Sequence, residues 1–291
     1  MTAVAIGVDV GGTNVRVAGV AADGTVVSSA RVRTPVGDAN ALVSTLAGLI
    51  NRHDSALPVG VGLAGGADAD GVLLYAPNLR MSGAPVGPAL AKALGRRARL
   101  GNDATLAAWG EHAVGAAVGV DDVVLVTVGT GVGGGAVIGG RLLTGAYGLA
   151  AEVGHMIVAE GGAACPCGNN GCLEALASGS ALALGDRDGA TVVAAARAGE
   201  PEAAAHVAQV GCWLGVGVAS LIAVLDPALV LLGGGAGAAA FDLLHPAVAS
   251  SVAARLLGRG IRCPPPVRRA ALGDDAGVVG AAFWALEEHR S

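Results

Sequence analysis

Two stretches, about half a chain apart, repeat the same pattern of a strand, a Gly-Thr turn and a second strand. The first, D-V-G-G-T-N-V-R-V-A-G-V, runs from Asp9 to Val20, and the second, T-V-G-T-G-V-G-G-G-A-V-I, runs from Thr127 to Ile138. An apolar strand that ends in a glycine turn and returns as a strand is typical of a β-hairpin. The two copies predict two related domains that face each other across a cleft.

The rest of the chain alternates apolar strands with helical patterns. Strands are predicted at 3–10, 14–20, 25–33, 58–65, 97–102, 122–128, 132–139, 228–232 and 266–272. Helices are predicted at 38–53, 86–95, 102–118, 189–225 and 276–289. This alternation indicates an α/β architecture, and 291 residues suffice for two domains of about 100–200 residues each.

The composition excludes several classes of function. Hydrophobic residues make up 53% of the chain and charged residues 14%, which is ample for a buried core and unlike a disordered chain. The net charge is −5 and aromatic residues are 2%, so neither a basic stripe nor a stacking platform for nucleic acid is expected. Lys92 is the sole lysine and lies outside any G-x-x-x-x-G-K pattern, which excludes a Walker A loop.

The sequence predicts a cytoplasmic protein that does not enter a membrane. Its first residues lack a basic segment and reach Asp9 too early for a signal peptide. The apolar segment from Trp213 to Leu225 has 13 residues, whereas a membrane span needs about 20, so a buried helix is favoured. An odd number of cysteines with a tight cluster favours a reducing compartment and a metal over disulfides.

The cysteine cluster is the most specific chemical signal. Cys165, Cys167 and Cys172 fall within eight residues, and His155 lies ten residues before the first of them. Three thiolates and one imidazole form a closed tetrahedral ligand set, so we expect a structural Zn²⁺ site, with free thiols as the alternative. The two other cysteines, at 212 and 263, are interpreted as small core residues.

Two carboxylates lie at the ends of the stretch that holds this cluster. They are Glu152 and Glu174. A carboxylate can accept hydrogen bonds from two neighbouring hydroxyl groups at once, which predicts recognition of a polar substrate with vicinal hydroxyls. The alternative is that both are solvated or capping carboxylates.

Both hairpin turns have the composition of a phosphate-binding loop. In the first, glycines let backbone N–H groups approach an anion, Thr13 adds a hydroxyl donor, and Asp9 can hold Mg²⁺ through water. An ordinary hairpin turn is the alternative. In the second, residues 129–134 match G-x-G-x-x-G, but a strand-like segment follows where a dinucleotide-binding turn requires a helix. We therefore interpret it as a second phosphate loop.

Two further junctions carry candidate functional residues. The run Gly233-Gly234-Gly235 lies between a strand and a helix, where backbone can approach a nucleoside; close helix–strand packing is the alternative. Asn102-Asp103 lies at another strand-to-helix junction, where Asp is ordinarily a helix cap. In a cleft between two phosphate loops, Asp103 can instead orient an attacking hydroxyl group and accept its proton.

Together these motifs resemble those of the ROK family of sugar kinases and repressors, which has the actin/hexokinase-like (ribonuclease H-like) two-domain ATPase fold. D-V-G-G-T-N and T-V-G-T-G-V-G-G-G resemble its phosphate motifs, L-L-G-G-G its adenosine motif, N-D-A its catalytic Asp motif, and E-V-G-H with C-P-C-G-N-N-G-C-L-E its zinc signature. The resemblance spans about residues 4–285. We expect a small α/β domain, 1–105 with the C-terminal helix 276–291, and a larger one, 106–275, that holds the zinc loop and nucleotide site.

The resemblance implies a role for individual residues. Asp103 is implied as the catalytic base. The implied hexose contacts are Gly65, Asn78, Asn102, Asp103, Glu152, His155 and Glu174. The implied contacts of ATP and its Mg²⁺ are Asp9, Gly11, Gly12, Thr13, Asn14, Thr130, Gly131, Gly234 and Gly235. The implied zinc ligands are His155, Cys165, Cys167 and Cys172.

The sequence departs from the family pattern in a few places. Many members have Lys where Asn14 stands, and often Trp after P-N-L, where this chain has Arg80-Met81-Ser82. The A-G-E of many members is A-A-E at 150–152. Family repressors carry an N-terminal helix-turn-helix, whereas this chain begins directly at the first strand, which disfavours a DNA-binding role.

We therefore expect an ATP-dependent glucokinase of glycolysis that phosphorylates the 6-hydroxyl of glucose to give glucose 6-phosphate. Alternatives are a kinase for N-acetylmannosamine, fructose or allose, a non-catalytic sugar-sensing member of the family, and a dinucleotide-dependent sugar oxidoreductase. The resemblance also implies a homodimer or a higher homo-oligomer. Neither a nucleic-acid nor a membrane partner is expected.

Overall fold

The computed structural model describes residues 1–290, with side chains up to residue 287, so the last residue of the expected 276–291 segment lies outside the described residues. The strands are β1 (Ala5–Val10), β2 (Asn14–Val20), β3 (Val26–Arg33), β4 (Val59–Leu63), β5 (Gly66–Ala67), β6 (Leu73–Tyr75), β7 (Arg99–Asn102), β8 (Val123–Val128), β9 (Val132–Ile138), β10 (Arg141–Leu142), β11 (Leu229–Gly233) and β12 (Val267–Arg269). The helices are α1 (Ala39–Ile50), α2 (Val86–Leu94), α3 (Asp103–Val114), α4 (Leu173–Ala177), α5 (Gly189–Arg197), α6 (Pro201–Leu225), α7 (Gly235–Ala239), α8 (Phe241–Arg255) and α9 (Ala276–Arg290).

Two five-stranded mixed sheets have the same topology. Their strand orders are β3-β2-β1-β4-β7 and β10-β9-β8-β11-β12. In each sheet the central strand pairs antiparallel with the next strand of the chain and parallel with a later one: β1 with β2 and β4, and β8 with β9 and β11. The predicted α/β architecture and the predicted repeat of two hairpins are therefore confirmed.

The chain forms two compact units, each built on one of these sheets. The first comprises Met1–Val118, Leu142–Ala151 and the chain from Asp274 onward, and the second comprises Gly119–Arg141 and Glu152–Gly273. The expected domain limits, 1–105 with 276–291 and 106–275, stay a prediction. In the structure, residue 105 lies inside α3.

The first sheet is covered on both faces because successive side chains of a strand point to opposite sides. Ile6, Val8 and Val10 belong to a buried apolar cluster that also includes residues of α1 and α2. On the other face, Gly7 and the β4 residue Gly60 lie against the backbone of α9, and a Cβ at either position would overlap a carbonyl of that helix. The absence of side chains there lets α9 lie directly on the strands.

The second sheet is buried through its central strands, since β8 and β11 are almost continuous apolar runs. The predicted helical segment at 189–225 is confirmed, and it consists of two separate helices, α5 and α6. Gly199 adopts a φ of +90°, and Pro201, which has no backbone N–H, begins α6. These two residues explain the interruption.

Within the described residues, α6 is the one helix long and apolar enough to cross a membrane. In the structure, 56% of its most apolar window is buried. Its residues Gly211 and Gly215 meet Leu244 and Ser251 of α8 closely. This is the packing of a core helix, as predicted for the segment that ends at Leu225.

Other predicted boundaries were displaced. Helix α3 ends at Val114 instead of residue 118, because Gly115 leaves the helical conformation. The short hairpin of β5 and β6 was not predicted, although Asp70-Gly71 between its strands is a turn signal.

Candidate active site and metal centre

In the first unit, one edge of the sheet gathers candidate residues from three strands. β1, β4 and β7 run parallel, so their carboxyl ends lie at the same edge. Asp9 lies next to the end of β1, Gly65 follows β4, and Asn102 ends β7. The order of the strands therefore brings together residues that are up to 93 positions apart in the chain, from Asp9 to Asn102.

The first Gly-Thr turn is held by a hydrogen bond within its own backbone and by Thr34, the residue that follows β3. The Gly11 N–H donates to the Asn14 carbonyl at 3.0 Å. The Thr34 hydroxyl donates to the Gly11 carbonyl at 2.7 Å, and its N–H donates to the Thr13 carbonyl at 2.9 Å. Thr34 was not predicted as part of the site, because nothing in its local sequence marks it.

Asn78 lies beside this turn. A Cβ placed on Gly12 would be 3.2 Å from the Cβ of Asn78, so the glycine leaves room for that side chain. Asn78 is itself exposed, whereas the next residue, Leu79, is fully buried. The structure thus brings a predicted hexose contact next to a predicted phosphate turn.

Asp9 is a buried carboxyl group next to the start of α9. A Cβ on Gly277 would lie 3.2 Å from the Asp9 Cγ. Burial raises the pKa of Asp9, and the positive charges of Arg16 and Arg31 partly oppose this shift. The nearby cations therefore favour the charged form of a carboxyl group that desolvation disfavours.

Asn102 and Asp103 form the start of α3. The Asn102 Oδ1 accepts the Thr105 N–H at 2.9 Å as the helix cap, and its side-chain amide donates to the Gly65 carbonyl at 3.2 Å. The Asp103 Oδ1 accepts the Ala104 N–H at 2.8 Å. Asn102 therefore fixes both the helix terminus and the end of β4, and Asp103 is half-buried between them.

In the second unit, the turn between β8 and β9 is held by the segment that follows the cysteine cluster. The Gly129 N–H donates to the Gly131 carbonyl at 2.9 Å. The Gly179 N–H donates to the Gly129 carbonyl at 2.7 Å, and the Ser180 hydroxyl donates to the Thr130 carbonyl at 2.9 Å. Sequence reasoning missed Gly179 and Ser180, which lie 50 positions from the turn they support.

Glu174 also contacts this turn. Its Oε2 accepts the Val132 N–H at 3.0 Å, and a Cβ on Gly131 would overlap that same oxygen. Its Oε1 lies 4.0 Å from the Cys165 Sγ. The Glu174 carboxylate therefore lies between the turn at 129–131, the second predicted phosphate turn, and the cysteine cluster.

The run Gly233-Gly234-Gly235 joins the same region. Gly234 adopts a φ of +76°, and a Cβ there would come within 2.5 Å of the Val128 carbonyl, the last residue of β8. At Gly235, by contrast, a Cβ would meet nothing within 4 Å among the described residues. Gly234 thus serves close packing, which was the alternative interpretation, while Gly235 leaves open backbone for a ligand.

The four predicted zinc ligands come together. Their donor atoms all lie within 4.8 Å of one another, with 3.7 Å between the Cys165 Sγ and the His155 Nδ1 and 3.6 Å between the Cys167 and Cys172 Sγ atoms. With Zn–S bonds of about 2.3 Å, the edge of a tetrahedral site is about 3.8 Å. Both the donor set and the spacing fit a tetrahedral Zn²⁺ ion.

The sequence of the loop explains this convergence. Gly168 and Gly171 adopt φ values of +96° and +75°, which reverse the chain between the cysteines. Burial raises the pKa of the Cys165 thiol, and raises that of Cys172 to about 12. The pKa of Cys167 is lowered to about 7, and the hydrogen bond from the Asn169 backbone N–H is the largest cause. In the absence of a metal, the buried thiols are thus held in their protonated form.

Glu152 lies next to the zinc ligand set. Its carbonyl accepts the His155 N–H at 3.1 Å, which begins a short 3₁₀ turn from Val153 to His155. Burial raises the pKa of the Glu152 carboxyl group; the charge of His155 opposes this shift and that of Glu174 adds to it. Hydroxyl groups of a ligand would stabilise the ionised Glu152 carboxylate, because their hydrogen bonds replace the water that burial removes.

Two sheets of equal topology, each with a Gly-Thr turn after its central strand, define the class of protein: the actin/hexokinase-like ATPase fold. The family model of the ROK family matches residues 5–288. A glucokinase of Streptomyces coelicolor is 34% identical over 310 aligned positions, which cover 97% of this chain and 97% of the relative.

Solved structures agree with this match. A ROK family glucokinase from Streptomyces griseus, in complex with glucose and AMPPNP, is 34% identical with a TM-score of 0.83, over 97% of this chain and 99% of that one. A ROK hexokinase from Thermus thermophilus is 35% identical with a TM-score of 0.85, over 98% and 99%. The chain therefore belongs to the ROK family. The predicted fold and the predicted enzyme class, an ATP-dependent sugar kinase, are confirmed.

Proposed function

We propose that this protein is a glucokinase that transfers the γ-phosphoryl group of ATP to the 6-hydroxyl of glucose, with Asp103 as the catalytic base. The observation that carries the proposal is the bond from Asn102 to the Gly65 carbonyl, because it holds the start of α3 at the sheet edge where the first phosphate turn lies. The glucose and AMPPNP bound to the Streptomyces griseus relative support the choice of both substrates.

In the proposed reaction, Asp103 accepts the proton of the 6-hydroxyl as its oxygen attacks the γ-phosphorus. The new O–P bond forms while the bond to the β-phosphate oxygen breaks, and ADP leaves. Because Asp103 follows a helix cap, the α3 N-terminus favours its charged form. Asp103 therefore acts chiefly by orienting the hydroxyl group and takes the proton late.

We assign the phosphates of ATP to the two Gly-Thr turns, with Asp9, Gly11, Gly12, Thr13 and Asn14 in the first and Thr130 and Gly131 in the second. The turns supply backbone N–H groups to the phosphate oxygens. Asp9 would hold Mg²⁺, and this ion would neutralise charge on the phosphates when bound. The open backbone at Gly235, with Gly234 behind it, suits the nucleoside.

We assign the hexose to Gly65, Asn78, Asn102, Glu152, His155 and Glu174. The half-buried Glu152 carboxylate is a strong acceptor for sugar hydroxyl groups, since these replace the water it has lost. His155 uses Nδ1, the ring nitrogen nearer Cys165, for the metal, which leaves Nε2 to donate to the sugar.

We assign Zn²⁺ to His155, Cys165, Cys167 and Cys172 as a structural ion. Four protein ligands complete a tetrahedral site and leave no open position for substrate, so the ion supplies structure and not catalysis. This assignment fits the short contacts between the donor atoms.

The proposal is tested by ADP release with a panel of hexoses, comparing kcat/KM. Asp103→Asn should lower kcat by about 10²–10⁴ while the affinity for glucose stays within a few-fold. Asp54→Asn is the control, because Asp54 is another Asp whose Oδ1 accepts a nearby backbone N–H, that of Ala56. A wild-type kcat in Asp103→Asn would reject the catalytic base.

The same panel decides between the alternatives. A higher kcat/KM with N-acetylmannosamine, fructose or allose would identify a kinase for another hexose. Hexose binding without ADP release would identify a sugar-sensing member. Glucose phosphorylated at a position other than the 6-hydroxyl, detected by NMR of the product, would contradict the proposed geometry.

A further inference from the structure

The zinc loop and the second phosphate turn are joined by one short segment of chain. It starts at the metal ligand Cys172, passes through α4 with Glu174, and ends at Gly179 and Ser180. All three of these later residues contact the turn at 129–132. At the C-terminal end of α4, the Ser178 N–H donates to the Glu174 carbonyl at 3.2 Å.

Glu174 is the central contact. Its Oε2 accepts the Val132 N–H, the first N–H after the turn, and fills the space that a side chain at Gly131 would occupy. The bond is charge-assisted, so it is stronger than a bond between neutral groups. The other carboxylate oxygen faces Cys165 in the cluster. The Glu174 side chain therefore contacts both the zinc loop and the second phosphate turn.

We propose that the zinc loop positions the second phosphate turn for ATP, with Glu174 as the positioning residue, in addition to its contact with the hexose. This inference rests on the proposed function, because it takes the turn at 129–131 as an ATP contact. The Leu173 N–H donates to the Met156 carbonyl at 2.9 Å and places the start of α4, and a metal bound to the Cys172 Sγ would fix it further. Loss of the metal should therefore loosen the positions of Glu174, Gly179 and Ser180 against the turn.

A second consequence concerns communication between substrates. If the hexose forms a hydrogen bond with the Glu174 carboxylate, which also accepts the Val132 N–H, then hexose binding changes the geometry of the second phosphate turn. Coupling of this kind is reciprocal: the hexose alters the affinity for nucleotide by the same factor by which the nucleotide alters the affinity for hexose.

The inference is tested by nucleotide binding in the absence of hexose, using calorimetry with AMPPNP and Mg²⁺. Glu174→Ala should weaken nucleotide binding about tenfold or more, because it removes a charge-assisted hydrogen bond. Glu174→Gln keeps an oxygen that can accept the Val132 N–H and should stay within about threefold of wild type. Zinc-depleted protein should resemble Glu174→Ala.

Amide hydrogen exchange gives a direct structural measurement. The Val132 amide should exchange faster in Glu174→Ala and in zinc-depleted protein than in wild type, with Glu174→Gln close to wild type. Cys167→Ser should behave as the zinc-depleted protein does. Cys263→Ser is the matched control, because this cysteine lies outside the cluster and is exposed. Its interpretation as a core residue is therefore wrong.

The outcomes separate this inference from the proposed function. Unchanged AMPPNP affinity and Val132 exchange in both Glu174→Ala and zinc-depleted protein would overturn the inference, even if glucose affinity falls. Should Glu174→Ala fail to fold, zinc-depleted protein and Cys167→Ser provide the same comparison with wild type, and Glu174→Gln remains the variant expected to resemble wild type. Failure of the glucokinase proposal shows instead in wild-type protein, as absent ADP release with glucose.

Discussion

The Asn102 side chain bridges the cap of α3 and the Gly65 carbonyl, with bonds of 2.9 Å to the Thr105 N–H and 3.2 Å to the carbonyl oxygen. Gly65 has a φ of +152°, and a Cβ there would overlap the Tyr75 carbonyl. A single side-chain amide thus connects the start of α3 to a backbone turn that admits only glycine.

This bridge predicts that Asn102→Asp and Asn102→Ala differ. Aspartate keeps the cap acceptor but has no donor for the Gly65 carbonyl, so stability should change little while KM for hexose rises. Alanine loses both bonds and should also lower the free energy of unfolding by about 1 kcal/mol. Urea unfolding and hexose kinetics check this.

Asp188→Ala is the matched control, because Asp188 caps α5 through the Thr191 N–H at 2.8 Å. It should lose stability comparable to Asn102→Ala without a rise in KM for hexose. Equal KM values in all three variants and wild type would show that the bond to Gly65 has no role in binding the sugar.

A pH dependence follows from Glu152. Burial raises the pKa of this carboxyl group above its ordinary value. In the proposed site the ionised Glu152 accepts hydrogen bonds from the hexose, so KM for hexose should rise as pH falls through this raised pKa, which lies above the usual Glu value of about 4.3. The acidic limb should disappear in Glu152→Gln, with Glu160→Gln, an exposed residue nearby, as control.

The effect of Glu152 on stability has the opposite direction. Because burial disfavours the charged form, the fold favours protonated Glu152. Its contribution is fully present below the pKa of the unfolded chain and is lost as pH rises through the raised pKa of the folded state. Glu152→Gln should therefore gain stability relative to wild type above that pH, and an unchanged difference across the range would contradict the shift.

Local sequence predicted much of this molecule. Each Gly-Thr hairpin and the cysteine cluster is contained in a few dozen residues, so spacing and glycine content sufficed to predict them. The helical character of residues 189–225 was predicted as well, and Gly199 and Pro201, which are ordinary helix breakers, explain why the structure divides this segment into two helices.

The sequence did not predict which residues from distant segments of the chain would contact each other. Glu174 and Val132 are 42 positions apart, and the rotamer of Glu174 decides whether its carboxylate faces the turn or solvent. Likewise, nothing local pairs Leu106 with Gly280. Tertiary packing alone sets such contacts, so the sequence indicated the chemistry of the residues but not their bonds.

Zinc binding should depend strongly on pH. Coordination requires thiolates, but burial raises the pKa of Cys165 and, to about 12, that of Cys172. Binding therefore displaces protons, and the apparent affinity should increase about tenfold per pH unit for each proton displaced. Competition with a chromophoric chelator measures this, with Cys263→Ser matching wild type and Cys172→Ser binding weakly. An affinity independent of pH would show that the thiols are already ionised.

The contact between α9 and α3 gives a prediction about stability. A Cβ on Gly280 would overlap the Leu106 carbonyl of α3, and Gly110 faces Gly280 across the same contact. Gly280→Ala should force the two helices apart and destabilise the protein by about 1–3 kcal/mol or more. Thermal or urea unfolding measures the change.

The same substitution in α1 should have the opposite sign. Gly48 is exposed inside that helix, and a Cβ there would meet nothing within 4 Å among the described residues. Gly48→Ala should therefore stabilise the protein by about 0.5–1 kcal/mol, because alanine restricts the unfolded chain and favours the helix. The pair isolates packing from helix propensity, since both variants gain the same methyl group in a helix. If Gly280→Ala were as stabilising as Gly48→Ala, the close approach of α9 to α3 would be wrong.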